Sequence, residues 1–133
     1  FQDRAPRVVD DGEGGHGWDF HDGGKPMTIG LVTKTRGKNY DELRWGGCRY
    51  DTINQGCFLA KPRVAEMLED GIQAEVIYPP QRTMRHFMLS DDNDFHLAGV
   101  QAYNDWLAKG FVGEAPAHLI GQGQIPNLGI DAA

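Results

Sequence analysis

The spacing of hydrophobic positions changes near residue 60 and divides the chain into two segments. Residues 1–60 contain 11 of the 18 glycines and show no sustained helical repeat. Residues 61–133 instead alternate between helical spacing and short apolar runs bounded by Gly or Pro. We therefore predict a loop-rich first segment, residues 1–60, and an α/β second segment, residues 61–133.

The first segment contains two short β-prone runs on either side of an acidic, Gly-rich stretch. Residues 7–9 and 17–20 flank the sequence DDGEGG, a composition typical of a hairpin tip. Residues 39–45 predict one helical turn, which Gly46 and Gly47 end. We expect a small hairpin and little other regular structure here.

The second segment begins with a predicted helix over residues 62–70. Val64, Met67 and Leu68 recur at helical spacing. Gly71 follows directly and is suited to a left-handed cap. A helix therefore precedes the first apolar run of this segment.

A longer helix is predicted over residues 92–109, with Ser90 or Asp91 as its N-cap and Gly110 at its end. Acidic side chains in the first turn suit the positive end of the helix dipole. The predicted apolar face comprises Phe95, Ala98, Ala102, Tyr103, Trp106 and Leu107.

Two apolar runs predict strands, over residues 72–78 and 118–125. Pro79 and Pro126 close them, because proline cannot donate to a sheet ladder. The order helix, strand, helix, strand, with connections too long for hairpins, predicts parallel strands joined by right-handed crossovers. The fold class is therefore α/β.

Composition and charge narrow the function classes. The chain has 133 residues, 40% of them hydrophobic, which is enough for at most one domain. Its net charge of −6 is spread along the chain, so we expect neither nucleic acid nor an anionic membrane as a partner. No apolar run is long enough to span a membrane, and no signal pattern or initiator Met is present. We expect a cytoplasmic protein and a first residue internal to a longer chain.

Neither the two cysteines nor the glycines near the end of the chain predict a cofactor. Cys48 and Cys57 are too few for a disulfide framework or a zinc site, so we expect reduced thiols. Gly121 and Gly123 lack the third glycine and the following helix of a dinucleotide-binding loop. A nucleotide cofactor is therefore not expected.

Three motifs follow one another in the second segment: MLEDGIQAEVIYP at residues 67–79, AYNDWLA at residues 102–108 and HLIGQGQIP at residues 118–126. Together they resemble the amidohydrolase-related family, which includes aminocarboxymuconate-semialdehyde decarboxylase-like enzymes. The first is similar to that family's helix-to-strand passage, the second to one of its helices, and the third to its third strand. The start of the chain resembles an insertion that longer members carry after the first strand.

This resemblance implies a partial TIM barrel, with its second and third parallel βα units preceded by a loop-rich insertion. The active site would lie at the carboxyl ends of the strands. It implies hydrolysis or non-oxidative decarboxylation of a small carboxylated or cyclic substrate, with a divalent metal, often zinc, as cofactor. The family's metal-ligand pair would precede Phe1 and its later ligands would follow Ala133, so no metal ligand or catalytic residue is assigned in this chain.

Tyr78, Arg82 and His86 are the candidate substrate-binding residues. They follow the predicted second strand and would lie on the catalytic face, where an arginine can hold a carboxylate through two hydrogen bonds. The alternative is a solvated loop, residues 81–86, whose arginines pair with the acids of residues 91–94.

Other polar residues have structural interpretations. We assign no role to His16 and His21, whose spacing matches no metal geometry. Asp92 and His96, four apart, indicate a surface pair or a cap. Tyr103 and Trp106 are expected in the core. Asn104 is expected to hydrogen-bond a neighbouring loop.

The sequence leaves two functions open. In the first, the chain is part of a complete metal-dependent enzyme that acts on small molecules, with a homo-oligomer as an open alternative for its assembly. In the second, it is a non-catalytic, truncated barrel fragment that acts only by association through the hydrophobic faces that missing strands would cover.

Overall fold

The structure is a computed structural model, and it describes residues 1–30 and 39–132. The chain forms two compact units, Phe1–Cys57 and Phe58–Ala133. The sequence placed the division between residues 60 and 61. The part of the predicted loop-rich segment at residues 31–38 lies outside the described residues.

The first unit contains an antiparallel sheet of three short strands in the order β1-β2-β3. Strand β1 is Arg7–Asp10, β2 is His16–Asp19 and β3 is Met27–Thr28. The pairing of Val8 with Trp18 confirms the predicted hairpin. The third strand was not predicted, because two residues are too few to show an alternating pattern.

Asp11 fixes the turn of this hairpin. Its carboxylate accepts hydrogen bonds from the backbone N–H groups of Glu13, Gly15 and Gly47, at 2.9, 2.8 and 2.7 Å. These bonds, with the one from Glu13 foremost, stabilise the anion and lower the pKa of Asp11. One side chain therefore joins the hairpin tip to the segment around residue 47.

Tyr50 links strand β2 to the segment around residue 50 through two hydrogen bonds. The Trp18 indole donates to the Tyr50 hydroxyl at 2.8 Å, and the Tyr50 N–H donates to His16 Nδ1 at 3.1 Å. Burial raises the pKa of Tyr50.

The predicted turn over residues 39–45 is a short 3₁₀ helix, Tyr40–Glu42. Neither Cys48 nor Cys57 forms a disulfide, as predicted.

The second unit opens with helix α1, Ala60–Glu69, two residues earlier than predicted at its start. Gly71 has φ +77°, which confirms the predicted left-handed cap. The N–H of Ile72 donates back to the carbonyl of Met67 at 2.8 Å and completes the motif. Leu68 was predicted on the apolar face, but its side chain is largely exposed.

Helix α2, Gln81–Met88, occupies the stretch predicted as a loop, so the loop prediction is wrong. Pro80 precedes the helix in an extended conformation, where its missing N–H costs nothing. Met84 is buried, and the partly buried Phe87 and Met88 follow at helical spacing. Burial of this short apolar stripe stabilises the helix. The many polar residues of α2 conceal the same helical pattern in the sequence.

Helix α3, Asn93–Asp105, begins at Asp92, not at Ser90 or Asp91 as predicted. The Asp92 carboxylate accepts from the N–H groups of Asp94 and Phe95 at 3.1 and 3.0 Å, whereas the Ser90 hydroxyl accepts only from Asp92 N–H. Asp92 lies one residue closer to the helix, where its carboxylate reaches two free amides.

The helical backbone continues past Gly110, so the prediction that Gly110 ends the helix is wrong. A π-helical turn, Trp106–Phe111, and a 3₁₀ turn, Val112–Glu114, follow α3. Phe111 is buried, so the wider turn brings an aromatic ring into the core before the chain leaves the helix.

Strands β4, Glu75–Ile77, and β5, Leu119–Gly121, pair in parallel, which confirms the predicted orientation. Both are shorter than predicted. Ile77 contacts the two apolar clusters of this unit, which pack on one face of the pair. The clusters comprise Ala60, Met67, Phe111 and Leu119, and Met84, Tyr103 and Leu107.

The sheets that the structure describes have three and two strands. A two-stranded parallel sheet is consistent with a piece of a larger α/β fold, but it does not form a barrel. The partial TIM barrel therefore stays a prediction.

Candidate functional site

The carboxyl ends of β4 and β5 meet at one edge of the parallel pair. Ile77 ends β4, and its carbonyl accepts from the N–H of Gln122, the first residue after β5, at 2.9 Å. In parallel α/β folds, binding residues cluster at this edge because the loops that follow the strands converge there. This edge is the first candidate site.

Tyr78 lies immediately beyond β4 and is 68% exposed. The following Pro79 and Pro80 remove two amide donors and direct the chain away from the sheet. An exposed tyrosine at this position presents both an apolar ring and a hydroxyl to solvent. It is suited to contact with a ligand and contributes little to the core.

Arg82 and His86 lie on α2, where we had predicted a loop. Their spacing of four residues places them on the same side of the helix, about one turn apart. Arg82 is exposed in the first turn. The helix therefore brings these two candidates together and fixes their relative position more firmly than a loop would.

His86 is also part of an aromatic cluster. Its ring meets those of Phe87 and Phe95 edge to face, with centroids 5.3 and 5.6 Å apart. This packing restricts the imidazole and leaves it half-buried. Of the three candidates, His86 therefore has the contacts most typical of a structural residue.

A second candidate site is a cavity of about 340 Å³ between α3 and the segment that follows β5. Asn104 connects its two walls. The Asn104 side chain donates to the Gln124 carbonyl and accepts from the Gln124 N–H, each at 2.8 Å. These bonds confirm the predicted role of Asn104. The cavity itself was missed, since a concave surface has no signature in local spacing.

The remaining polar residues have mainly structural roles. His16 accepts from Tyr50 N–H, and His21 has φ 56° with a ring nitrogen 3.0 Å from the Ala5 carbonyl. Asp92 caps α3, which confirms the cap, one of the two predicted alternatives. His96 is buried, so the other alternative, a surface pair, is wrong. Tyr103 is buried as predicted. Trp106 is 48% exposed and only partly contributes to the core.

The described residues do not supply a metal site by themselves. Within residues 1–30 and 39–132, no three His, Cys, Asp or Glu side chains come close enough to hold a metal ion together. By themselves, these described residues therefore do not fit the zinc that the resemblance implies, and no chemical step through a metal follows from them.

No family model, curated protein or solved structure matches this chain. The amidohydrolase resemblance therefore depends on the three motifs alone. Of the helices that the structure describes, none combines the length and the apolar character needed to cross a lipid bilayer.

Proposed function

We propose that the chain is part of a metal-dependent enzyme of the amidohydrolase-related kind, which hydrolyses or decarboxylates a small carboxylated or cyclic molecule. The observation that carries the proposal is the parallel pairing of β4 with β5 through a helical connection, α2 and α3. The residues with the resemblance, 67–79, 102–108 and 118–126, include these strands and the end of α3.

The exposed face of the parallel pair supports a larger fold. Parallel sheets occur almost only with both faces covered, and isolated two-stranded sheets are marginally stable. Here one face packs on the helices, while Val76 and Ile120 are exposed on the other. In a complete barrel that face would be buried by residues from other strands.

In this proposal the edge at Tyr78 holds the substrate. Arg82 is able to bind a substrate carboxylate with two parallel hydrogen bonds, which fixes its orientation as well as its charge. Tyr78 would pack against the apolar part of the molecule and donate its hydroxyl. His86, one turn beyond Arg82, would supply a further hydrogen bond. Metal ligands from other strands would bind an ion that polarises the substrate or activates water.

A second function, association without turnover, is favoured by the same exposed face. Val76, Ile120 and Tyr78 leave apolar area in solvent. Apolar area of this kind is typical of surfaces that bind another chain. In this case Arg82 would have no role in binding a small molecule.

The test is to lengthen the reading frame at both ends and purify the longer protein. We expect about one equivalent of divalent metal by elemental analysis and turnover of a cyclic or aromatic carboxylate. Arg82→Ala should raise KM for the carboxylate by about 10-fold or more, the cost of a lost charged hydrogen bond. Arg85→Ala, on the same helix, is the matched control and should leave KM within about twofold.

Two results would contradict the proposal. One is a longer protein that contains no metal and has no turnover, which would favour association. The other is stoichiometric zinc and turnover in the 133-residue chain alone, because the ligands would then lie within it.

A further inference from the structure

The cavity between α3 and the segment after β5 has the size of a small-molecule site. Its volume of about 340 Å³ falls in the range of ligand pockets, about 300–1,000 Å³. It is built from the second unit alone. An inference about it therefore does not depend on the proposed enzyme activity.

The two walls of this cavity are joined by a defined contact. The paired hydrogen bonds between Asn104 and the backbone of Gln124 fix the segment relative to α3. Pro126 is buried at the end of this segment and has a restricted φ. A site held in this way loses little conformational entropy when a ligand binds.

The lining determines the charge of a suitable ligand. Leu97 and Val100 supply an apolar wall, and the polar side chains are the amides of Gln101, Asn104 and Gln124. None of the described side chains that line the cavity is charged. A carboxylate or ammonium group would lose water there without gaining a counter-charge.

The amide of Asn104 determines the polar group of the ligand. Its bonds to Gln124 use one N–H and one lone pair of the oxygen. A side-chain amide has two N–H donors and two oxygen lone pairs, so one donor and one acceptor position remain, and these point to opposite sides of the amide group. An uncharged carboxamide can accept from the remaining donor through its oxygen or donate to the remaining acceptor through its N–H, and therefore suits either position.

We propose that this cavity binds an uncharged carboxamide that carries a small apolar ring. The ring would contact Leu97 and Val100, and the amide would make a single hydrogen bond to one of the two remaining positions of the Asn104 amide. Such a ligand differs from the carboxylate expected at Arg82, so the two sites are distinguishable by charge.

The experiment uses benzamide as the probe and ¹H–¹⁵N NMR spectra of the 133-residue chain. We expect saturable shifts centred on the backbone amides of Val100, Gly123 and Gln124. Benzoate, of the same shape but charged, should bind at least about 10-fold more weakly. Equal shifts from both compounds, or shifts that do not saturate, would overturn the proposal.

A cavity-filling variant gives the matched comparison. Leu97→Phe adds volume to the apolar wall and should abolish the benzamide shifts at Gly123. Leu68→Phe makes the same change on α1 at an exposed position and should leave them intact. Unchanged binding by a folded Leu97→Phe protein would place the benzamide elsewhere and refute the assignment. If the variant does not fold, the comparison of benzamide with benzoate on the parent chain still decides.

Discussion

Val76 lies directly opposite Ile120 in the parallel pair formed by β4 and β5, and both side chains face solvent, with 43% and 56% of their surface exposed. The next residue along β4, Ile77, and the preceding residue of β5, Leu119, point to the other face and contact the helices there. The pair is thus apolar on both faces, a pattern typical of parallel sheets that are covered on both sides.

The first prediction separates an open sheet face from one that other strands cover. In the 133-residue chain, Ile120→Asp should change the free energy of unfolding by about 0.5 kcal/mol or less, because the position is exposed. In the lengthened protein it should cost about 3 kcal/mol or more, because the carboxylate would be buried without a partner. Urea unfolding of both lengths measures the difference.

The matched control is Glu114→Gln, a change of an exposed residue that should have a small effect in both lengths. Equal, small costs for Ile120→Asp in the two proteins would mean that the face stays open, and this would weigh against a barrel.

The second prediction concerns the bonds between α3 and the segment after β5. Asn104→Ala removes both hydrogen bonds to Gln124 and leaves partly buried backbone groups unpaired, so it should destabilise the chain by about 1–3 kcal/mol. Asn104→Asp keeps the acceptor for Gln124 N–H but sets a carboxylate oxygen against the Gln124 carbonyl, so it should also destabilise the chain. Chemical denaturation measures both, with the exposed Gln101→Ala as the control on the same helix. A cost for Asn104→Ala no larger than that of the control would show that these bonds do not stabilise the segment.

Except for α2, the order and orientation of the helices and strands in the second unit were predictable because their signals are local. Gly71 and Pro79 mark chain reversals through their own backbone restrictions, and Val64 and Met67 show a helical period within one turn. The parallel pairing followed from the length of the connection between strands. These features need no knowledge of distant residues.

Features that depend on tertiary contacts were not predictable. Helix α2 has only one buried residue, Met84, and its polar surface resembles a loop. His96 is buried although histidine is usually found nearer the surface, and Trp106 is half exposed although its neighbours are core residues. In the candidate site, the sequence predicted Arg82 and His86 as binding residues, but it did not predict that they share one face of a helix.

The third prediction is a dependence of stability on pH that comes from Asp11. The backbone hydrogen bonds that lower its pKa exist only in the folded state. The folded-state pKa of Asp11 is therefore below its unfolded-state pKa of about 3.9. The stabilisation is present above about pH 3.9 and disappears as the pH falls through the folded-state pKa.

Thermal unfolding between pH 7 and pH 2 tests this effect in Asp11→Asn. At pH 7 the variant should melt at a lower temperature than the parent, and the gap should narrow below about pH 3.9. Asp51→Asn removes an exposed carboxylate that contacts Arg49 and is the control. A gap that is constant over the whole range would show that the charge of Asp11 does not contribute.

The fourth prediction concerns two buried polar atoms on α3. Within the described part of the chain, His96 Nε2 and the Tyr103 hydroxyl are buried and have no hydrogen-bond partner. An unsatisfied buried group carries its full cost of desolvation. Tyr103→Phe should therefore leave stability unchanged or raise it by about 1 kcal/mol, measured by urea unfolding. A loss above about 1 kcal/mol would mean that the hydroxyl has a partner, such as a buried water.

The fifth prediction tests the contact between α2 and α3 at Gly99. A Cβ at this position would lie 2.2 Å from the Phe87 ring, so the helices approach this closely only because residue 99 has no side chain. Gly99→Ala should destabilise the chain by about 1–3 kcal/mol through overpacking, although alanine is the better helix former. Phe87→Ala removes the clashing ring, and in that background Gly99→Ala should be neutral or stabilising. The double-mutant cycle therefore has a coupling energy with a predicted sign. Additive effects of the two changes would show that α2 and α3 are not packed through this contact, and the relative positions of Arg82 and α3 would then need a different explanation.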